Sequence, residues 1–427
     1  MIYSRRLMSA VIILIVVSYL PVIAQQEPAN DFDWLLSNLE VHGFYEIRSG
    51  YRLQDDKYEK DMSIMEQRLQ LDLSSYLDWA DFKVKGDIIG DLVEEQADFD
   101  LREAYIFARP FEFMDLKVGR QILTWGTGDL IFINDLFPKD WQSFFIGRDD
   151  EYLKAPSDAV KISLFSNLAN LDIVYTPQFD SDRFISGERL SYWNSNLGRL
   201  AGQNAIQHTD KPDRWFRDDE IAVRLYKNIN NYEYALYGYR GFWKSPGGQN
   251  AAQTQAIFPD LNVYGASVRG SVGKGIGNLE LGYYESANDH SGQNPLVNNS
   301  EMRYLIGYSQ EIGKDFTAAV QYYVEQLLHY GQYRANLPSG PARDEYRHLL
   351  TLRLTKLLMN QNLRCMLFTY FSPTDKDVHF RPSINYKVND NLAVETGANI
   401  FFGDYQHTFF GQFEKNTNIY TALRYSF

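Results

Sequence analysis

The last nine residues, Ile419–Phe427, alternate without a break and stop on an aromatic ring. Ile419, Thr421, Leu423, Tyr425 and Phe427 share one face of an extended chain, and Tyr420, Ala422, Arg424 and Ser426 share the other. Such a segment reads as a membrane β-strand ending at a bilayer edge, apolar toward lipid and polar toward water. The opposite end carries an export pattern. Arg5 and Arg6 precede an apolar run, Met8–Leu20, and Val22-Ile23-Ala24 fits a small-x-small cleavage site. A cleaved leader over 1–24 is expected, with Gln25 as the first mature residue. The apolar run is too short to favour a membrane anchor.

The leader contains two Arg and no acidic residue, so its removal moves the formal charge from −13 to −15. That balance argues against nucleic acid as a partner. Seven Trp, thirty Tyr and twenty-seven Phe are a heavy aromatic load. Girdles at the two water–lipid boundaries of a barrel would use it. Cys365 is the single cysteine, so no intrachain disulfide or thiolate cluster can form. No His-x-x-x-His spacing and no Gly-x-Ser-x-Gly context is present, so neither a metal site, a cofactor nor a hydrolytic enzyme is expected.

Eight tight turns rich in Asn, Asp and Gly punctuate the chain, at 78–81, 110–115, 167–170, 228–231, 273–278, 313–315, 360–362 and 389–391. Longer polar connections alternate with them, at 49–60, 90–97, 126–157, 178–216, 244–260, 288–300, 329–342, 372–377 and 404–415. Eight short and nine long joints connect eighteen strands; sixteen is the competing count, because strands near 97–125 and 157–177 have weak boundaries. The expected fold is therefore all-β: one transmembrane antiparallel barrel over 39–427, preceded by a periplasmic segment, 25–38. A soluble sandwich explains period-two strands but not the alternation of short and long joints.

Strand alternation also sorts inside from outside. In 346–355, Leu350, Leu352 and Leu354 oppose Arg347, Thr351 and Arg353; in 379–388, Phe380, Ile384 and Tyr386 oppose Arg381, Ser383 and Lys387. A charge facing lipid near the midplane costs roughly 2–4 kcal/mol, so the charged series should face water. The pore-lining expectation is basic at Lys83, Lys85, Arg224, Arg303, Arg347, Arg353, Arg364, Arg381, Lys387 and Arg424, with Glu233, Glu325 and Glu395 among interleaved acids. Such a lining either guides a charged or polyhydroxylated solute or cross-links the wall through Arg–carboxylate pairs. The basic density in the C-terminal half points to a mild anion preference.

The stretch Val118–Asp129 is the most unusual. A strand pattern runs into Gly126 and Gly128, and Gly permits the bend by which a loop could turn back into a barrel. The expectation is an inward-folded constriction over 126–157, with Arg120, Gln121, Trp125, Asp129, Trp141 and Arg148 as its chemical groups. Trp125 could stack on a ring or serve as a girdle residue. Segment 178–216 is expected to be a long hydrated extracellular loop.

Gly119-Arg120-Gln121, followed by Trp125-Gly126 and Asn134, together with the leader and terminal Phe427, resembles the DUF1302-type porin-like outer-membrane family. The similarity to alginate-export barrels is more distant. In the family pattern an acidic residue directly follows Trp-Gly; here Thr127 takes that place and Asp129 follows two later. The resemblance implies a bacterial outer-membrane channel and fixes no substrate; with the charged lumen the expectation is passive diffusion of small hydrophilic, anionic or polyhydroxylated solutes, an outer-membrane hydrolase being the less favoured reading. The partners so implied are outer-membrane lipid and lipopolysaccharide, a small polar solute, and the barrel assembly machinery through the C-terminal strand. A sleeve or export component enclosing a protein guest is the alternative.

Overall fold

A computed structural model of the chain describes residues 38–77, 79–337 and 340–427. The expected leader and nearly all of 25–38 lie outside the described residues. Eighteen strands form one antiparallel sheet. In chain order they are β1 Leu39–Arg52, β2 Met62–Tyr76, β3 Ala80–Asp91, β4 Gln96–Phe111, β5 Met114–Ile122, β6 Pro156–Leu164, β7 Asn170–Thr176, β8 Glu220–Ile229 and β9 Tyr232–Phe242. The second half comprises β10 Asp260–Val272, β11 Gly275–Ser286, β12 Glu301–Gly313, β13 Phe316–Leu327, β14 Tyr346–Leu358, β15 Leu363–Ser372, β16 Asp377–Lys387, β17 Leu392–Gly403 and β18 Asn418–Ser426. Each strand pairs with its chain neighbours, and β18 pairs with β1 from Phe44↔Ser426 to Arg52↔Asn418. Gly43 and Phe427 exchange two backbone hydrogen bonds, each 3.0 Å, so the terminal residue seals the ring. Closure leaves no open sheet edge, which is the condition for strands to cross hydrocarbon.

The registers bear out the alternation read from sequence. On the β12–β13 ladder, Arg303↔Glu325 and Leu305↔Tyr323 face inward while Tyr304↔Val324 and Ile306↔Tyr322 face outward. Leu305 is 3% exposed and Ile306 55%, so the apolar residue left uncovered is the one facing lipid. Each of the eight expected tight turns falls at a junction between strands, although the strands run further than expected: the turns are 112–113 within 110–115 and 273–274 within 273–278. At the β8–β9 turn Asn230 and Asn231 both take positive φ, 51° and 66°, the geometry that a two-residue hairpin turn needs.

Three expectations change. The connections near 90–97 and 372–377 are four-residue turns, 92–95 and 373–376. Asp91 accepts from Val93 N (2.9 Å) and Glu94 N (3.1 Å), and Ser372 Oγ accepts from Asp375 N at 3.1 Å, so local side-chain bonds close them tightly. The segment joining β7 to β8, 177–219, is packed rather than simply hydrated. It holds a small hairpin, Tyr192–Asn194 with Arg199–Ala201, and buries Phe179, Leu190 and Ala201. The aromatic load is also divided. Tyr76, Trp79, Phe111 and Phe113 are exposed at the end bearing the tight turns, and Tyr51, Phe99, Phe371 and Phe402 at the end bearing the long loops. Trp125, Trp141 and Trp243 instead pack inside.

Placing a charge on the lipid face tests this assignment. Ile306→Arg is expected to destabilise the barrel by about 2–4 kcal/mol, read from denaturant-driven unfolding out of lipid vesicles. A neutral effect would mean that β12 faces the other way.

Candidate functional site in the barrel lumen

The connection from β5 to β6, 123–155, runs inside the ring. It begins where Thr124 Oγ1 donates to Asp135 (2.8 Å) and Lys139 Nζ pairs with the same carboxylate (2.9 Å), folding 124–139 into a compact bight. Gly126, at φ 81°, makes the first bend. Beyond it, Glu280 on β11 accepts from Thr127 N, and from Gly128 N at 3.1 Å. Gln321 on β13 bonds both ways to the Asp129 backbone, at 2.7 and 2.8 Å. Arg353 on β14 pairs with the Asp129 carboxylate at 2.7 Å, and Tyr370 on β15 donates to Leu130 O at 2.9 Å.

A short helix, α1 Trp141–Ile146, then turns the segment back. Asp140 caps its N-terminus by accepting from Ser143 N at 2.7 Å. Gly147 ends it at φ 89° with its Cα close against the Tyr420 ring, where a Cβ would collide. Phe144, Phe145 and Ile146 are buried against the inner wall, with ring centroids of Phe145 and Phe413 4.7 Å apart. Arg48 on β1 donates to Gly147 O at 2.6 Å, and Asn418 on β18 to Phe145 O at 3.1 Å. Arg148 reaches Glu66 on β2, a carboxylate that Arg68 and Arg189 also contact at 3.2 Å each. Asp150 pairs with Arg381 on β16 at 3.0 Å, and Arg424 on β18 contacts Asp149 at 3.4 Å.

The outgoing and returning passes thus set Asp129 against Arg353 and Asp150 against Arg381. Asp129 and Asp150 keep 35% and 36% of their side-chain surface open, so both carboxylates meet water. Burial lifts the Asp129 carboxyl above the ordinary carboxylate range against the pull of Arg353. Burial acts on Asp150 too, but Arg381 outweighs it and holds that carboxyl below the range.

The remaining sequence-derived residues fall into place by strand parity. Lys83, Lys85, Arg224, Glu233, Arg303, Glu325, Arg347, Arg364, Lys387 and Glu395 all occupy inward registers. Most are paired: Lys83 with Asp72 (2.9 Å), Arg224 with Glu233 (2.6 Å), Arg303 with Glu301 (2.7 Å) and Arg347 with Asp375 (2.5 Å). Gln121 is fully buried inside and donates to Ala159 O at 3.0 Å. Arg120 does not join it. Its register partner chain runs Ala104, Arg120, Asp158 on the same face as lipid-exposed Val118, and it pairs there with Asp158 at 3.1 Å. Adjacent residues on a strand point to opposite faces, so Gly119-Arg120-Gln121 cannot present both polar side chains to the lumen. Trp125 is no girdle residue; its ring meets Phe137 edge-on at 5.0 Å and Tyr237 at 6.1 Å.

Two groups escaped the sequence reading. Tyr152 lies under the guanidinium groups of Arg68 (4.2 Å) and Arg102 (4.9 Å), and its hydroxyl accepts from Gln70 Nε2 at 3.1 Å. Asp182 ties three loops together. It accepts from Lys139 N (2.7 Å), Trp141 Nε1 (3.1 Å) and Ser245 Oγ (2.7 Å), while its own N–H donates to Lys244 O (2.8 Å). Asp182 stood in a stretch of unremarkable acidic composition, and no local spacing distinguished it.

The barrel fold has solved counterparts. OccAB3 of Acinetobacter baumannii is similar with a TM-score of 0.54 at 11% identity, covering 92% of this chain and 99% of that one. OccK3 (OpdO) of Pseudomonas aeruginosa matches with a TM-score of 0.54 at 12% identity, over 93% and 99% of the two chains. OccK5 (OpdH) of the same organism gives 0.52 at 12% identity, over 92% and 98%. The fold is that of the outer-membrane porin barrels. At these identities the likeness concerns architecture. No protein-family model and no curated protein matches the sequence.

Asp182→Ala strands two buried donors and a hydroxyl. It is expected to cost about 1–3 kcal/mol of local stability. Faster amide hydrogen exchange should appear in 137–146, 178–190 and 243–247, with the strands unchanged; uniform protection would remove Asp182 as the tie between these loops.

Proposed function

We propose that the protein is a passive channel for small hydrophilic solutes across the outer membrane, with 123–155 as its constriction. The observation that carries this is the segment folded into the ring, which exposes the Asp129 and Asp150 carboxylates to water beside their wall partners Arg353 and Arg381. A solute entering the ring meets fixed charges of both signs at short range, each worth somewhat under about 1 kcal/mol across water. Gln121, Trp141 and Arg148 hold the constriction in shape, because their polar groups are engaged within the loop and wall, and Trp125 does so through its ring contacts with Phe137 and Tyr237. The inward basic residues are largely neutralised by carboxylates, so any anion preference comes from the few guanidinium groups that remain open to water.

The Gly119-Arg120-Gln121 and Trp125-Gly126 spacing supports a place among DUF1302-type porin-like proteins. The C-terminal strand supports recognition by the barrel assembly machinery, and the aromatic rims support contact with outer-membrane lipid and lipopolysaccharide. The sleeve reading is disfavoured: the chain's own segment fills much of the lumen with Phe144, Phe145 and their packing partners, which leaves little room for a folded guest. Among the described residues no cluster of metal-ligating side chains is present, and the reading needs no cofactor.

Planar-bilayer recording in a salt gradient tests the proposal. Acidification should protonate Asp129 before Asp150, because its pKa is raised and that of Asp150 is lowered. Arg353 then loses its counter-charge and the reversal potential shifts toward anions. One unmasked charge about 6 Å from a passing ion is worth about 0.7 kcal/mol in water, so the permeability ratio should change roughly threefold. Asp129→Asn should show that shift already at neutral pH and lose most of its pH dependence. An absence of conductance by the pure protein would end the channel reading; an unchanged reversal potential in Asp129→Asn would move the constriction elsewhere.

A further inference from the structure

At the loop end of the barrel, above the constriction, lies a cavity of about 560 Å³. Four connections enclose it: 123–155, 177–219, 243–259 and 404–417, over a floor made by Leu261, Tyr284 and Arg303. The size falls within the range of small-molecule sites, roughly 300–1,000 Å³. Its walls carry Trp141, Trp193 and Trp243 with Phe132, Phe184 and Phe409.

The charges in this lining are already answered by the protein. Lys139 pairs with Asp135 at 2.9 Å, Lys244 with Glu220 at 2.6 Å and Arg303 with Glu301 at 2.7 Å. Asp182 spends its oxygens on three donors. Such a lining offers little net field to an ion. Neutral polar groups, in contrast, are left over. The side-chain amides of Gln207, Gln253 and Gln255 line the cavity and make no hydrogen bond among the described residues. The indole Nε1 of Trp243 is buried without an acceptor, although the ring is only 7% exposed. A buried donor left without a partner is costly, and a ligand oxygen would relieve it.

We infer that this cavity is a binding vestibule for an uncharged carbohydrate of one or two pyranose rings, held before it passes the constriction. A pyranose presents an apolar C–H face and a rim of hydroxyls. Tryptophan rings supply the apolar surface that such a face covers, and amides give and accept hydrogen bonds at the rim, each with one acceptor and two donor positions. The inference gives the channel proposed above its solute class and rests on that reading for the direction of traffic, but the binding step does not require conductance. An aromatic acid would use the same rings, yet its carboxylate would meet no unpaired cation in the lining.

The test is isothermal titration of the detergent-solubilised, folded full chain with maltose, and with benzoate for comparison. Bilayer recording accompanies it, with maltose added on the loop side. Saturable maltose binding in the millimolar range is expected, with matching current interruptions. Trp193→Ala should weaken it about fivefold through loss of ring surface. Trp243→Phe keeps an aromatic ring, though a smaller one, and removes the N–H, and should weaken it about threefold while the barrel stays heat-modifiable. Maltose binding by a protein that does not conduct supports the vestibule and removes the channel. A conducting protein that takes up no maltose, one that binds benzoate instead, or one whose maltose affinity is indifferent to both substitutions overturns the inference.

Discussion

A peptide group without a hydrogen-bond partner costs several kcal/mol in hydrocarbon, and that penalty organises everything else in this chain. It forces the sheet to close, and closure is completed at one seam, β1 with β18, ending on the Gly43–Phe427 pair. Once the ring is closed, each strand has one face in lipid and one in the lumen. The identity of every strand residue is then constrained by parity alone. Ile419, Leu423 and Tyr425 are exposed on the outside, and Tyr420 and Ala422 are buried on the inside, within a single nine-residue strand.

This dependence explains what could be read from sequence. Lipid and water impose a strict period of two, so inward and outward series such as Arg347/Arg353 and Leu350/Leu352 are visible in a short window. Turns are visible because Asn, Asp and Gly mark positive φ, as at Asn230-Asn231 and Asp315. Loop interiors are different. Their contacts come from strands far away in the chain: Asp129 meets Gln321 and Arg353, and Asp150 meets Arg381. Nothing in the local composition of 126–157 announces those partners. Asp182 and Tyr152 were missed for the same reason. Arg120 was misplaced for another: a three-residue motif was taken as one chemical unit, although the pleat divides it between two faces.

The lumenal charges carry a second lesson about magnitude. A wall with this many guanidinium groups looks anion-selective when counted, but counting ignores where the counter-charges sit. Glu46 joins Arg48 and Arg424, and Glu66 joins Arg68, Arg148 and Arg189. Charges paired at such distances and buried together make a stiff frame and little external field; breaking one leaves a costly uncompensated ion. The long-range field of the lumen is therefore set by the minority of charges that keep water access.

The interior wall is divided into a dry sector and a wet one, and α1 draws the boundary. Phe144 and Phe145 can be buried inside a polar lumen only if the strands beneath them are aromatic there. They are: Phe368, Tyr370, Phe401 and Tyr420 line that sector, with His379 buried among them and its Nε2 bonded to Asn399 at 3.1 Å. Away from α1 the inward positions revert to Lys83, Lys117, Arg224 and Lys387. The inward-facing Phe368, Tyr370, Phe401 and Tyr420 are thus aromatic, among inward charges such as Arg364, Arg381 and Arg424, for a reason that strand periodicity cannot express: they are the second half of a core whose first half is a loop. The same packing fixes the loop's position. Moving α1 away from the wall would expose both aromatic surfaces to water at roughly 25 cal/mol for each Å² uncovered, and would at the same time break the Arg48–Gly147 and Asn418–Phe145 bonds. Apolar contact and hydrogen bonding therefore act together to hold the segment inside the ring, and its position there is a fixed feature of the barrel.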